Sequence, residues 1–146
     1  MVENITIRPI SLRDYSFGFF VIKKSYKKYI EKTWGWNTEF QKNYYRQNFD
    51  IMNLCIIEYD KVRIGLFKYT EEVEKIYIDQ IYILPKYQSK GIGSKILIDI
   101  IDIGKSKKKP IELQVLKINL KGIKFYQKLC FSEYDQTETH IKMVLK

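Results

Sequence analysis

Residues 76–93 read IYIDQIYILPKYQSKGIG. Glu74 to Leu84 is rich in Ile and Tyr and reads as a long strand, which Pro85 stops. Gln88-Ser89-Lys90-Gly91-Ile92-Gly93 follows, and a helix is expected from Ser94 onward. Gly91 and Gly93 both permit positive φ, so successive backbone N–H groups can point into one concavity. The helix amino terminus behind them adds unpaired donors and a partial positive charge. The product is a cradle for a phosphate or diphosphate, although ordinary strand-to-helix turns use glycine too. Two familiar nucleotide loops do not fit. No glycine stands three positions beyond Gly93, as Gly-x-Gly-x-x-Gly requires, and the Gly-Lys-Ser/Thr of the P-loop is missing.

Outward from this stretch the elements alternate in a readable order. Asn4 to Ile10 sets Ile5 and Ile7 against Thr6 and Arg8, a half-buried strand. Ser11-Leu12-Arg13-Asp14 resembles a capping box and predicts a helix to about Tyr29. Trp34-Gly35-Trp36-Asn37 reads as a loop, with Thr38 and Gln41 capping a second helix to about Asn48. Asn53 to Glu58 and Val62 to Tyr69 read as strands joined by the turn Tyr59-Asp60-Lys61. Ile96, Leu97, Ile100, Ile101 and Ile103 form a broad apolar face on a helix from Ser94 to about Lys107, which Pro110 ends. Ile111, Leu113 and Val115 alternate as a strand, Leu120 to Leu129 is a short helix, and one or two strands close the chain. The order β-α-α-β-β-β-α-β-α-β(-β) predicts an α/β fold with a mixed, mostly antiparallel central sheet flanked by helices.

Composition bounds the function. The 146 residues suit one domain, 1–146, and 45% hydrophobic against 29% charged residues is globular. No run approaches the ~18 apolar residues of a membrane span. The opening Met1-Val2-Glu3-Asn4 lacks the layout of a secretory leader, so the expected location is cytoplasmic. Cys55 and Cys130 each lie in an apolar stretch and are expected as reduced, buried thiols. His140 is the sole histidine, which argues against a metal site. The net charge of +9 invites a nucleic-acid reading, yet the chain has no alanine and far more lysine than arginine, a bias that suits AT-rich coding. The lysines read mainly as a solvated face, some serving a phosphate-bearing ligand, with neither nucleic acid nor membrane expected as a partner.

Gln88-Ser89-Lys90-Gly91-Ile92-Gly93, with Pro85 three residues upstream, resembles motif A of the GNAT (GCN5-related N-acetyltransferase) family, usually Gln/Arg-x-x-Gly-x-Gly/Ala. Lys90 replaces the arginine more usual before the first glycine. A second match lies downstream in Asn119, Gly122, Phe125-Tyr126 and Leu129-Cys130-Phe131. Cys130 replaces the usual glycine there, which bears on the helix C-cap geometry. The resemblance covers most of the chain and implies a GNAT-like acyl-CoA N-acyltransferase fold with acetyl-CoA as cosubstrate.

It further implies that the strands ending at Leu84 and starting at Ile111 splay, and that pantetheine bonds to main chain near Ile81, Tyr82 and Ile83. The loop Gln88, Ser89, Lys90, Gly91, Ile92, Gly93, Ser94 would bind the diphosphate. Asn119 would meet the pantetheine arm, and Lys121 or Lys124 the nucleotide end. Tyr126 matches the family's general acid; alternatively it only packs. An attacking ammonium must lose a proton, and the departing thiolate benefits from gaining one. Asp79 shares a strand face with Ile81 and Ile83 and is the candidate base, with Glu72 and Glu74 as alternatives and a solvated edge residue as the bland reading.

Trp34, Trp36 and Tyr45 occupy the region that shapes the acceptor pocket in this family; they can hold an apolar or cationic substrate or serve as loop anchors. His140 can reach the substrate side or be structural. The acceptor is expected to be a small-molecule or peptide amine, with a homodimer left open. Rival readings are a non-catalytic acyl-CoA-binding module and a basic nucleic-acid-binding domain.

Overall fold

A computed structural model describes residues 4–146. The elements run β1 (Ile5–Pro9), a 3-10 turn (Leu12–Asp14), α1 (Tyr15–Trp34), α2 (Thr38–Gln47), β2 (Cys55–Tyr59), β3 (Val62–Glu71) and β4 (Ile76–Ile83). A second 3-10 turn (Pro85–Tyr87), α3 (Ile92–Lys107), β5 (Ile111–Leu116), α4 (Leu120–Lys128), β6 (Ser132–Gln136) and β7 (His140–Leu145) complete the chain. The strands form one mixed, mostly antiparallel sheet in the order β1-β2-β3-β4-β5-β7-β6. This is the order expected from the sequence, with two closing strands. Two compact units divide the chain: residues up to Lys68 with Gln80–Gly93, and Tyr69–Asp79 with Ser94–Lys146.

In the first unit β1 and β2 run antiparallel with Ile7 opposite Ile57, and β2 pairs β3 with Cys55 opposite Phe67. Asp60 and Lys61 take φ of 50° and 67° at the β2–β3 turn, the left-handed pair that matches the twist of a tight hairpin. Ile10, Val21, Leu54, Ile56 and Leu66 form a buried cluster, with Phe17, Ile22, Tyr82 and Leu84 packed on it. Full burial of each such side chain is worth roughly 1.5–3 kcal/mol. A charged knot sits beside them. Asp14 is 0% exposed and accepts two hydrogen bonds from Arg8 (2.8 and 3.0 Å), one from Arg63 (3.1 Å), and two from Ser11 through its N–H and Oγ (2.9 Å each). Arg8 also donates to Glu58 at 2.9 Å. Ser11 and Asp14 thus form the expected helix start.

In the second unit β4 and β5 pair in parallel through Ile76↔Ile111 and Tyr77↔Glu112. Beyond those pairs β5 keeps its antiparallel partner β7 up to Leu116↔His140, and β6 pairs β7. Ile76, Ile78, Ile96, Leu97, Leu113 and Met143 are at most 4% exposed, so the apolar alternation of β4 and β5 and one stripe of α3 point inward.

Several expectations are corrected. α1 runs to Trp34 rather than Tyr29, because nothing breaks it before Gly35, whose φ of 84° ends the helix. Trp34 is therefore helical, not part of the loop. The cap of α2 is Asn37, whose Oδ1 accepts from the Phe40 N–H at 2.9 Å, rather than Thr38. α3 starts at Ile92, two residues early, so Gly93 is helical and the left-handed residues before it are Ser89 (φ 60°) and Gly91 (φ 85°). Cys130 is exposed rather than buried, while Cys55 is half-buried, and both are free thiols. The opening Met1-Val2-Glu3 lies outside the described residues. Among the described residues no helix is long and apolar enough to cross a membrane.

Arg8 foremost, then Ser11 and Arg63, hold the Asp14 carboxyl well below the usual carboxylate range against the opposing pull of burial. A folded value below the unfolded one (~3.9) means stability that is complete above about pH 4 and is lost as the pH falls below it. Asp14→Asn should cost about 3 kcal/mol at pH 7, since it leaves Arg8 and Arg63 without their shared anion. The urea midpoint of the variant should also fall less steeply than the native one between pH 5 and pH 3. An unchanged midpoint at pH 7 would show that the knot is not stabilising.

Candidate functional site

In the first unit, β4 delivers the loop that the sequence singled out. The Leu84 N–H bonds to the Ile64 carbonyl at 2.9 Å, tying the end of β4 to β3. Gly65 lets this approach happen: a Cβ there would strike the Tyr82 carbonyl oxygen. Pro85 occupies the first position of the 3-10 turn, and the Tyr87 N–H closes it on Leu84 at 2.8 Å. Ser89 and Gly91, both left-handed, then turn the chain into α3 within three residues. The 16-residue α3 leaves its first N–H groups without intrahelical partners. A left-handed residue just before such an end is the backbone geometry in which successive N–H groups can share one concavity. Lys90 is exposed on this loop. Gln88 Nε2 donates to the Ile83 carbonyl at 2.8 Å and braces the loop on β4. Ile81, Tyr82 and Ile83 are half-buried on β4.

In the second unit, α4 carries the downstream motif. Asn119 caps it, accepting from the Gly122 N–H at 2.9 Å through Oδ1, so its Nδ2 takes no part in the cap bond. Gly122 is small because a Cβ would meet that amide. At the other end the Cys130 N–H bonds to the Gln127 carbonyl (2.9 Å) and the Phe131 N–H to the Tyr126 carbonyl (3.1 Å). Those two bonds make a Schellman cap, and Cys130 takes its left-handed position at φ 74°. The cysteine thus adopts the conformation of the usual glycine, at a cost of roughly 1 kcal/mol. The half-buried Tyr126 ring packs edge-on against Phe125 (centroids 5.2 Å) and Phe131 (5.9 Å). Lys121 and Lys124 are exposed on the same helix, and Ser94 is half-buried in α3.

Asp79 is exposed on β4 and accepts from Thr70 Oγ1 at 2.7 Å. Thr70 was not singled out in the sequence, which shows only a nine-residue separation across the β3–β4 turn. Glu72 and Glu74 precede β4 and line a basin of about 850 Å³ with Glu71, Val73, Lys75, Pro110 and Glu112. In that basin Lys107, then Lys109, pull the Glu71 carboxyl down to about 2. His140 lies on β7 with Nδ1 2.8 Å from Thr139 Oγ1, and burial pushes its pKa down, favouring the neutral ring. Of the three aromatics expected to shape a substrate pocket, Tyr45 is buried and its hydroxyl donates to the Tyr15 carbonyl at 2.7 Å. Trp34 is 60% exposed, and Trp36 is half-buried beneath Lys27. Among the described residues no group of three or more His, Cys, Asp or Glu is arranged to hold a metal ion.

A model described as the acetyltransferase (GNAT) family matches residues 17–131. No curated protein sequence matches the chain. The solved PaiA N-acetyltransferase from Thermoplasma acidophilum, in complex with coenzyme A, is similar at a TM-score of 0.80 and 22% identity, over 99% of both chains. Arabidopsis thaliana Naa50 with the bisubstrate analogue CoA-Ac-MVNAL follows at 0.69 and 16%, again over 99% of each. A GNAT family acetyltransferase from Elizabethkingia anophelis with acetyl-CoA bound gives 0.66 and 18%, over 99% of each. Likeness at these identities shows the fold.

The two ends of the Asn119 side chain can be separated. Asn119→Ala removes the cap and should cost about 1 kcal/mol, whereas Asn119→Asp keeps an accepting oxygen for the Gly122 N–H and should cost less than about 0.5 kcal/mol. Urea unfolding of both variants checks this; equal losses would mean that Oδ1 is not the stabilising atom.

Proposed function

The chain belongs to the GNAT acetyltransferase family, and from that premise we propose that its 146 residues act as one catalytic domain moving the acetyl group of acetyl-CoA onto a primary amine. The observation that carries this reading is the amino end of α3, entered through left-handed Ser89 and Gly91 straight after β4. From the first unit, the main chain of Ile81, Tyr82 and Ile83 offers hydrogen bonds to pantetheine, and the loop from Ser89 to Ser94 offers N–H groups to the diphosphate. Gln88 acts indirectly, by bracing that loop. For the second unit the family resemblance assigns Asn119 and Lys121 to acetyl-CoA and Tyr126 to the thioester as general acid. The register of β4 with β5, limited to two residue pairs, fits a fold in which pantetheine completes the pairing.

The chemistry is a direct attack. The neutral amine nitrogen bonds to the thioester carbonyl carbon, the C–S bond breaks, and the Tyr126 hydroxyl protonates the departing thiolate. The proton that the nitrogen sheds on becoming an amide returns through water to the Tyr126 phenolate. The proton lost by the ammonium passes to Asp79, directly or through water, with Thr70 orienting the carboxylate. A thiolate lets the reaction proceed without a metal. The free thiols of Cys55 and Cys130 suit a reducing compartment, and we place the protein in the cytoplasm.

Two measurements test this. Gly91→Val forces a β-branched residue to φ 85° and crowds the loop, so acetyl-CoA affinity by calorimetry should fall at least ~tenfold, or ~1.4 kcal/mol. Native affinity in a folded variant would remove the loop from the site. Tyr126→Phe deletes only the hydroxyl, so kcat should drop ~10²–10⁴-fold with acetyl-CoA affinity retained. In the same assay Asp79→Asn should lose most activity near neutral pH and recover as the pH rises and more amine is already neutral; a profile parallel to the native one would exclude Asp79 as the base.

A further inference from the structure

The charge of the chain is unevenly placed. The first unit holds 14 Lys and Arg against 7 Asp and Glu, which is +7 of the total +9. Within it α1 and α2 carry seven cations against only Glu31 and Glu39. Three other carboxylates of this unit are already matched, Asp14 by Arg8 and Arg63, Glu58 by Arg8, and Asp50 by Lys68, and Asp60 sits apart at the β2–β3 turn. A polyammonium ligand needs anions that this surface does not offer.

On α1 the aromatic rings offer no alternative, whereas Phe40 and Tyr44 of α2 stack on each other and stay exposed. Lys24 lies over Phe20 at 5.7 Å, Lys27 over Trp36 at 5.5 Å, and Lys28 over Tyr29 at 5.0 Å from the ring centroids. A ring face that already carries an ammonium repels a second cation and is closed to a stacking base. What α1 presents outward is therefore a lysine layer seated on aromatic rings. Its position is set by Tyr26, whose ring packs on Tyr29 (5.3 Å) and on Tyr82 of β4 (5.1 Å). Lys24, Lys27 and Lys28 thus lie within one helical turn of Tyr26, the α1 residue that packs on the strand assigned above to the cofactor.

We propose that the acceptor amine belongs to an acidic peptide or protein segment, which the lysine-covered face of α1 holds by charge. This rests on the transferase reading and narrows its acceptor class away from small polycations. An acidic body beside the amine gains attraction at every lysine it meets, whereas a polyamine is repelled by the same lysines. The attraction is long-ranged and falls with salt, because the Debye length shrinks from ~10 Å at 0.1 M to ~3 Å at 1 M.

The test compares three acceptors by release of free CoA: a Glu/Asp-rich peptide with a free N-terminus, its Gln/Asn counterpart of equal length, and spermidine. At low salt the acidic peptide should exceed the neutral one at least ~tenfold in kcat/KM, and the ratio should fall toward one as NaCl is raised. Lys24→Glu with Lys28→Glu should abolish that preference, while the neutral peptide's rate and the acetyl-CoA affinity stay within about threefold. Lys24→Gln with Lys28→Gln serves the same purpose if the reversed charges impair folding. Equal rates for the two peptides, or a preference for spermidine, would overturn the proposal and leave the transferase reading standing. So would tighter, charge-reversal-sensitive binding of phosphatidylserine vesicles or of single-stranded oligonucleotide than of the acidic peptide. Failure to bind acetyl-CoA, or to release CoA with any amine, would overturn the transferase reading itself.

Discussion

A carboxylate with no solvent exposure must find its donors inside the protein, and Asp14 finds them in β1, in the start of α1 and in β3. Removing charges from water costs several kcal/mol, so the net gain from such a knot is modest, but breaking it is expensive. Its consequence is positional. With Arg8 and Arg63 converging on one anion, α1 leaves β1 in a single direction, and Val21 and Ile22 reach the core shared with Leu54, Ile56 and Leu66. Gly18 then lets α2 come close, since a Cβ would collide with the Tyr45 hydroxyl, and that hydroxyl is satisfied by Tyr15. The same course of α1 lays Tyr26 on Tyr82.

Two backbone turns carry the proposed cofactor loop and the proposed acid, and in each a residue other than glycine is left-handed. Ser89 enters the α3 turn at φ 60°, and Cys130 closes α4 at φ 74°. Each costs roughly 1 kcal/mol, which local hydrogen bonds offset. For Cys130 the compensation is visible: both Schellman bonds form, and one of them ends on the carbonyl of Tyr126. The helix cap and the ring of Tyr126 are therefore held by the same short segment, with Phe131 packed edge-on behind the ring. Before α3 the side-chain amide of Gln88 does comparable work on Ile83.

Family membership supplies a reaction class, whereas the distribution of charge bears on the acceptor. The first unit carries +7, and lysines of α1 lie over the rings of Phe20, Tyr29 and Trp36. The lysines read from sequence as a solvated face, yet some are spent in ion pairs, as Lys107 and Lys109 are on Glu71.

Much of this protein is local and was legible in the sequence. Pro85 ends β4, Gly91 marks the turn into α3, and the spacing from Asn119 to Phe131 defines α4 and its caps, because each depends on backbone chemistry within a few residues. Helix ends were less legible: α1 runs on to Gly35, and Asn37 rather than Thr38 caps α2, since neighbouring residues compete for one role. Side-chain partnership was not legible at all. Arg8 meets Glu58 across 50 positions, Arg63 meets Asp14 across 49, and Tyr45 meets Tyr15 across 30. Sequence alone set the order of elements, the loop before α3 and the reaction class. Only the tertiary structure decided which charges are spent inside and which aromatic rings are covered, because those outcomes depend on packing between segments far apart in the chain.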